Sequence, residues 1–93
     1  MDLMKGKKGL IMGVANERSI AWGISQKLAE AGAELAFTYL GEALKKRVIP
    51  LAEKLNSKVT FSCDVEKKEE IIKLFEDIKS KWGHIDFVVH AVA

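Results

Sequence analysis

Apolar runs that alternate with amphipathic segments are the feature that most constrains the fold of this 93-residue chain. Between the apolar runs, apolar residues recur every three or four positions, the period of a helix with one buried face. Strands that alternate with helices form βαβ units, so the pattern predicts an α/β fold with a parallel sheet. The four runs with the composition of buried strands are "KGLIMGV" (8–14), "AELAFTYL" (33–40), "KVTFSC" (58–63) and "IDFVVHAVA" (85–93).

The three helical segments have recognisable ends. The first begins at Ser19, a good N-cap residue, and Gly32 ends it. The second covers residues 44–55, and Pro50 within it predicts either a kink or a division into two short helices. The third covers residues 66–82. In a doubly wound sheet of the nucleotide-binding type, these elements predict the strand order 3-2-1-4.

That strand order leaves the fourth strand as a bare apolar edge, which natural proteins cover or charge. We therefore expect residues 1–93 to be the N-terminal part of a single Rossmann-like domain, with the remainder of the domain outside this chain.

Composition narrows the function classes. The formal net charge of +2 does not indicate a nucleic-acid partner. With Cys63 as the one cysteine, no intrachain disulfide can form, which favours a reducing compartment. The chain has neither an apolar run long enough to span a membrane nor the apolar core of a signal peptide at its start. We expect a cytoplasmic protein that does not enter the membrane.

The stretch "GVANERSIAWG" (13–23) follows the first strand and opens the first helix. Gly13 lets a ligand approach the backbone, and the amides near Ile20 have no partner within the helix. The hydroxyl of Ser19 and these amides could bind a diphosphate, or Ser19 could simply cap the helix. The βαβ context favours phosphate binding over an ordinary capped turn.

The ends of two other strands are ambiguous. Asp64 either caps the helix that begins near residue 66 or accepts a hydrogen bond from an adenine amino group, beside the amide of Val65. After the second strand, Leu40 and Gly41 stand where the NAD fingerprint has an acidic residue that binds the ribose. The basic residues 45–47 follow, so these positions leave the choice between NAD and NADP open.

Three reactive side chains give weak signals. Cys63 ends an apolar run and is expected to be a buried, inert thiol. His84 follows a glycine and is expected to be exposed, and His90 is expected to be structural. The sequence shows neither a cluster with the spacing of metal ligands nor a nucleophile–histidine arrangement.

The stretches "KGLIMGVANERSIAWGISQKLAEAGAELAFTY", "CDV" and "DFVVHAVA" closely resemble the bacterial NADH-dependent enoyl-acyl-carrier-protein reductases, a divergent group of short-chain dehydrogenases/reductases. The resemblance covers essentially the whole chain, as the N-terminal third of such an enzyme. The loop pattern G-x5-S-I-A is specific to this group, because ordinary short-chain dehydrogenases have T-G-x3-G-x-G instead.

The resemblance implies a set of cofactor-binding residues. Gly13, Ser19 and Ile20 match the diphosphate loop, Asp64 and Val65 match the adenine-binding pair, Leu40 matches a position at the adenosine end, and Ala91, Val92 and Ala93 match the segment that passes the riboses. Two positions depart from the family: Leu40 stands where glutamine is frequent, and Ala93 stands where glycine is usual. The apolar side chain of Leu40 leaves only packing and main-chain contacts there, and Ala93 in place of glycine weakens the expectation of a backbone contact at its position.

The resemblance also implies an activity: NADH reduces the trans-2 double bond of an enoyl group carried by acyl carrier protein, in bacterial fatty-acid synthesis. NADPH stays open as the cofactor. The family is homotetrameric, and its catalytic tyrosine and lysine would lie beyond Ala93, so this chain contains no predicted catalytic residue. Two alternatives are a short-chain dehydrogenase that acts on a carbonyl and a non-catalytic nucleotide-binding module.

Overall fold

The computed structural model describes residues 2–91, and in this part of the chain strands and helices alternate as predicted. In chain order the elements are β1 (Lys8–Met12), α1 (Ile20–Glu30), β2 (Glu34–Tyr39), α2 (Glu42–Lys54), β3 (Thr60–Ser62), α3 (Lys68–Trp82) and β4 (Phe87–His90). None of these helices is long and apolar enough to cross a membrane.

The strands form one parallel sheet in the order β3-β2-β1-β4, which confirms the predicted topology. Leu10 in β1 lies opposite Ala36 of β2 on one side and Val88 of β4 on the other. Because the strands are parallel, the segments that follow all four of them come to the same edge of the sheet.

Apolar residues cover both faces of the sheet. Successive residues of a strand point to opposite faces, so Ile11 and Phe37 pack against α1 and α2, whereas Leu10 and Ala36 pack against α3. The helix residues buried on the first face are Ala21, Trp22, Val48, Leu51 and Ala52, and those on the second are Leu74 and Ile78. This double coverage explains why the strands read as nearly continuous apolar runs. A side chain as fully buried as Phe37 contributes about 1.5–3 kcal/mol to folding.

The second helix differs from the prediction. α2 continues without interruption through Pro50, so the division into two short helices is wrong. Proline removes the hydrogen bond to the carbonyl four residues earlier, that of Lys46. Lys46 and Pro50 both lie on the exposed side of α2, where a carbonyl without a helical partner can accept a hydrogen bond from solvent.

The ends of the first and third helices follow the predicted signals more closely. Gly32 and Gly83 follow α1 and α3 with φ angles of +99° and +83°, the left-handed region that favours glycine. The start of α3 is later than predicted, at Lys68 rather than at residue 66.

Candidate functional site

Two main-chain hydrogen bonds join the strand ends at the carboxyl edge of the sheet. The amide of Ala91, just after β4, donates to the carbonyl of Met12 at the end of β1 (2.9 Å). The amide of Cys63, just after β3, donates to the carbonyl of Tyr39 at the end of β2 (2.9 Å). The loop after β1 therefore lies between β2 and β4, at the switch point where open α/β sheets bind ligands.

A cleft of about 380 Å³ opens at this edge, a volume typical of small-molecule sites. Most of its lining is apolar, and Ser19, Thr38 and Tyr39 bring hydroxyl groups to it. The lining residues come from the segments after all four strands: Gly13, Val14, Ala15, Ser19, Thr38, Tyr39, Leu40, Leu44, Cys63, Val65 and Ala91. Five of the predicted site residues are among them, namely Gly13, Ser19, Leu40, Val65 and Ala91.

Among the other predicted residues, Ile20 and Asp64 do not line the cleft. Ile20 follows Ser19 and is exposed, and its backbone amide has no acceptor within residues 2–91. Asp64 lies next to Val65 and uses its carboxylate in a local turn. Val92, together with Ala93, lies outside the described residues.

The loop between β1 and α1 is held by its own hydrogen bonds. Gly13 has a φ of +114°, which starts the turn out of β1. The hydroxyl of Ser19 accepts a hydrogen bond from the amide of Trp22 (3.3 Å) and donates to the carbonyl of Asn16 (2.8 Å). The side chain of Asn16 in turn accepts from the amide of Arg18 (2.8 Å). Ser19 is therefore the N-cap of α1, as the sequence predicts, at the wall of the cleft.

The start of α1 carries unpaired donors and has no acidic residue in its first turn. The amides of Ile20 and Ala21 have no acceptor within residues 2–91. The first turn of α1 contains no acidic residue, whereas α2 and α3 begin with Glu42 and with Glu69 and Glu70. The partial positive charge at this helix end is thus not neutralised by a nearby side chain of that turn. The arrangement can bind an anion, and a phosphate fits it.

Asp64 holds a local turn in this structure and does not cap α3. Its Oδ1 atom accepts a hydrogen bond from the amide of Glu66 (3.0 Å), which stabilises the turn before α3. The N-cap of α3 is Lys67, whose side chain makes no capping bond, so the expectation that Asp64 caps this helix is wrong. The amide of Val65 has no acceptor within residues 2–91 and remains available at the cleft.

The end of β2 forms an apolar rim. Leu40 is 51% exposed, and Leu44, one helical turn later, lines the cleft with it. No acidic side chain within residues 2–91 lines this part of the cleft. The basic residues Lys46 and Arg47 line a separate groove with Asn16, outside the cleft.

Cys63 and His84 are placed as the sequence predicts. Cys63 is buried, and burial, followed by the negative charges of Glu70 and Asp64, raises the pKa of its thiol. The thiol therefore stays protonated, which suits an inert residue and not a nucleophile. His84 is exposed and pairs with Asp86 (3.2 Å) away from the cleft.

The structure adds lining residues that the sequence did not identify as site residues. Val14, Ala15 and Leu44 are small or apolar, so they resemble any core residue in sequence. Thr38 is the exception, because it is the one polar residue within the run "LAFTYL". A polar residue at the carboxyl end of a buried parallel strand was a signal that could have been used.

Comparison with known proteins relates the cleft to a family. Residues 13–93 match the family model described as "Enoyl-(Acyl carrier protein) reductase". The enoyl-[acyl-carrier-protein] reductase [NADH] 1 of Rhizobium meliloti is 59% identical over 91 residues, which are 98% of this chain and 34% of that protein. The chain thus spans about a third of the length of this relative.

Solved structures show the same similarity. The enoyl-(acyl-carrier-protein) reductase of Anaplasma phagocytophilum, in complex with NAD, has a TM-score of 0.90 and 53% identity over 95% of this chain and 34% of that one. The Bacillus cereus enoyl-acyl carrier protein reductase, with NADP+ and indole naphthyridinone, has a TM-score of 0.89 and 48% identity over 95% of this chain and 35% of that one.

Proposed function

Because the chain belongs to the enoyl-(acyl carrier protein) reductase family, we propose that it is the cofactor-binding segment of an enzyme that uses NADH to reduce the trans-2 double bond of an enoyl group carried by acyl carrier protein. The observation that carries the proposal is the start of α1. Its first two amides are unpaired within residues 2–91, and its cap Ser19 forms part of the cleft wall. The relative from Rhizobium meliloti bears the name of an NADH-dependent reductase of this kind.

The cleft has the features that a dinucleotide needs. The diphosphate would accept hydrogen bonds from the amide of Ile20 and from the hydroxyl of Ser19, which would turn away from the carbonyl of Asn16 to donate to it. Gly13 would allow the close approach. When bound, the cofactor supplies a hydride. The residues of this chain bind and orient it, and the apolar lining excludes water from it.

The adenosine half fits the other end of the cleft. The amide of Val65 is available there, and Leu40 offers a packing surface. Asp64 would contribute the carboxylate oxygen that does not bind the amide of Glu66. Ala91 and Val92 would pass along the riboses. Ala91, the first residue after β4, lies beside the loop of Gly13, because its amide donates a hydrogen bond to the carbonyl of Met12.

The same proposal extends to the whole protein. We assign residues 1–93 to the N-terminal part of one Rossmann-like domain, with the catalytic residues beyond Ala93. The family resemblance supports a cytoplasmic homotetramer that acts on an acyl-carrier-protein thioester, with NADH as cofactor and NADPH as the alternative.

The test is turnover by the full-length protein. Purified protein should oxidise NADH when a trans-2-enoyl thioester of acyl carrier protein is added, and it should not do so with a ketone substrate. Residues 1–93 alone should not oxidise NADH with a crotonyl thioester, because the catalytic residues are absent. Ketone-dependent oxidation by the full-length protein, without enoyl-dependent oxidation, would instead support a carbonyl-reducing short-chain dehydrogenase.

A further inference from the structure

Thr38 is a buried residue whose hydroxyl has no hydrogen-bond partner within residues 2–91. It lies one residue before the end of β2, is 5% exposed and lines the cleft. Its hydroxyl makes no hydrogen bond to any other group within residues 2–91, although hydroxyl groups buried in proteins normally have a partner.

The other buried polar residues of the described chain behave differently. Ser25 donates to the carbonyl of Ala21 (2.6 Å), and Ser57 donates to the carbonyl of Leu35. Both hydroxyl groups are hydrogen-bonded within the fold. Thr38 is therefore the buried polar residue of residues 2–91 that is left without such a bond.

The hydroxyl of Thr38 is nevertheless not sealed from solvent. In residues 2–91, no side-chain oxygen or nitrogen is both inaccessible and without a hydrogen-bond partner. The hydroxyl must therefore have some access, and the cleft is the space that Thr38 lines. A polar group in the wall of an otherwise apolar cleft is suited to orient a ligand.

The position of Thr38 indicates which half of a bound dinucleotide lies near its hydroxyl. Residues alternate along β2, so Thr38 lies on the same face of the sheet as Ala36. Val65 packs against the core of that same face and lines the cleft with Thr38. Hence the hydroxyl of Thr38 and the unpaired amide of Val65 belong to one end of the cleft, the end proposed above for adenosine.

We propose that the hydroxyl of Thr38 forms a hydrogen bond with the adenosine half of the bound dinucleotide. The inference rests on the proposed function, since it assumes a dinucleotide in this cleft. A hydroxyl both donates and accepts, so a ring nitrogen or a ribose hydroxyl of adenosine is a suitable partner.

The experiment compares Thr38→Val with Thr38→Ser in the full-length protein. Valine keeps the shape and removes the hydroxyl, and serine keeps the hydroxyl. We expect Thr38→Val to raise the Kd for NADH and for ADP-ribose about ten-fold, the effect of a lost hydrogen bond that leaves its partner unpaired. Thr38→Ser should remain within about two-fold of the wild type. The KM for NADH should rise with kcat unchanged, because the bond is remote from the reacting atoms.

Thr60→Val is the matched control. Thr60 lies in the neighbouring strand β3, is partly buried and does not line the cleft, so its substitution should leave both affinities unchanged. Thr38→Ala serves as a second variant if Thr38→Val does not fold, which urea unfolding would show.

The outcomes separate the two proposals. If the wild type binds NADH and Thr38→Val binds it equally well, the inference is wrong and the proposed function stands. An affinity loss for NADH without a loss for ADP-ribose would also overturn it, because the hydroxyl would then face the nicotinamide half. If the wild type binds neither ligand, the proposed function fails and the inference fails with it.

Discussion

The carboxylate of Asp86 accepts a hydrogen bond from the backbone amide of Lys8 (2.8 Å), while the backbone amide of Asp86 donates to the carbonyl of Lys8 (2.7 Å). The two bonds hold the start of β4 beside the start of β1. The amide of Lys8 is the main cause of a lowered pKa at Asp86, and the neighbouring His84 lowers that pKa further. A local side-chain contact thus aligns the two strands whose opposite ends form the cleft.

The lowered pKa of Asp86 predicts a loss of stability in acid. Folding lowers this pKa, so the contribution of Asp86 is present above the ordinary value of 3.8 and is lost as the pH falls through the lower pKa of the folded state. Asp86→Asn cannot titrate, so it should lack this part of the acid dependence. Urea unfolding at neutral pH and at a series of pH values below 3.8 measures the difference.

The matched control is Asp77→Asn, on the exposed surface of α3. The carboxylate of Asp77 forms an exposed salt bridge with the ammonium of Lys73 (3.1 Å), and such pairs contribute little to stability. The variant should therefore lose stability in acid as the wild type does. An Asp86→Asn variant with the same acid dependence as the wild type would contradict the role of the bond to Lys8.

The close approach of Gly9 in β1 to Phe87 in β4 predicts a second effect on stability. A Cβ atom added at Gly9 would lie 2.0 Å from Cε2 of Phe87, so the ring must move. Gly9→Ala should therefore lower the free energy of unfolding by about 1–3 kcal/mol. Gly23→Ala, in open space on α1, should instead raise it by about 0.5–1 kcal/mol. Urea unfolding measures both.

A double-mutant cycle shows whether the ring is the cause. Phe87→Leu shortens the side chain, so Gly9→Ala should cost less in that background than in the wild type. If the cost of Gly9→Ala is the same in both backgrounds, the close approach to Phe87 is not what excludes a side chain at Gly9.

Much of the fold could be predicted because it depends on periodicity. The four apolar runs predicted four strands, and their alternation with helical segments predicted a parallel sheet. The cap residue Ser19 predicted the start of α1. Pro50 was misjudged because its effect depends on whether the carbonyl of Lys46 reaches water, which the sequence does not state. The start of α3 was misjudged because Asp64 makes a local turn with Glu66 and leaves the N-cap to Lys67.

The candidate site was harder to predict than the fold. Gly13 and Ser19 carry their signal in residue type and spacing, and both line the cleft. Thr38 carries a weaker signal, as a polar residue within an apolar strand, and Leu44 carries none, because its place in the cleft depends on which face of α2 it occupies once the sheet is assembled. A buried hydroxyl without a hydrogen-bond partner, such as that of Thr38, can be recognised only in a three-dimensional structure, where the distance to every potential partner is known.

Ser19 should allow stability and binding to be separated. Ser19→Ala removes the cap of α1 and should cost about 1 kcal/mol of stability. Ser19→Asp retains a good cap, so its stability should stay close to that of the wild type. It also places a negative charge at the proposed diphosphate site, so the affinity for NADH should fall at least about ten-fold. Urea unfolding and a fluorescence titration with NADH give the two quantities. If Ser19→Asp binds NADH as the wild type does, the diphosphate lies elsewhere.

Leu40 should determine how strongly the site distinguishes NADH from NADPH. An acidic residue at the end of the second strand accepts a hydrogen bond from the ribose 2′-hydroxyl and repels a 2′-phosphate. Leu40 offers neither effect, so the wild type should distinguish the two cofactors weakly at this position. Leu40→Asp should raise the ratio of Kd for NADPH to Kd for NADH about ten-fold, since a hydrogen bond to a charged group contributes about 1.5–3 kcal/mol.

The neutral variant Leu40→Asn shows which effect dominates in Leu40→Asp. Asparagine has nearly the same shape as aspartate and offers an acceptor without charge, so it should improve NADH binding slightly and leave NADPH binding nearly unchanged. Because Leu40 is 51% exposed, both substitutions should preserve the free energy of unfolding, and affinity changes can be read directly. Equal ratios for the wild type, Leu40→Asn and Leu40→Asp in parallel titrations would mean that the ribose of the adenosine does not lie at the end of β2. That result would move the adenosine away from the rim formed by Leu40 and Leu44.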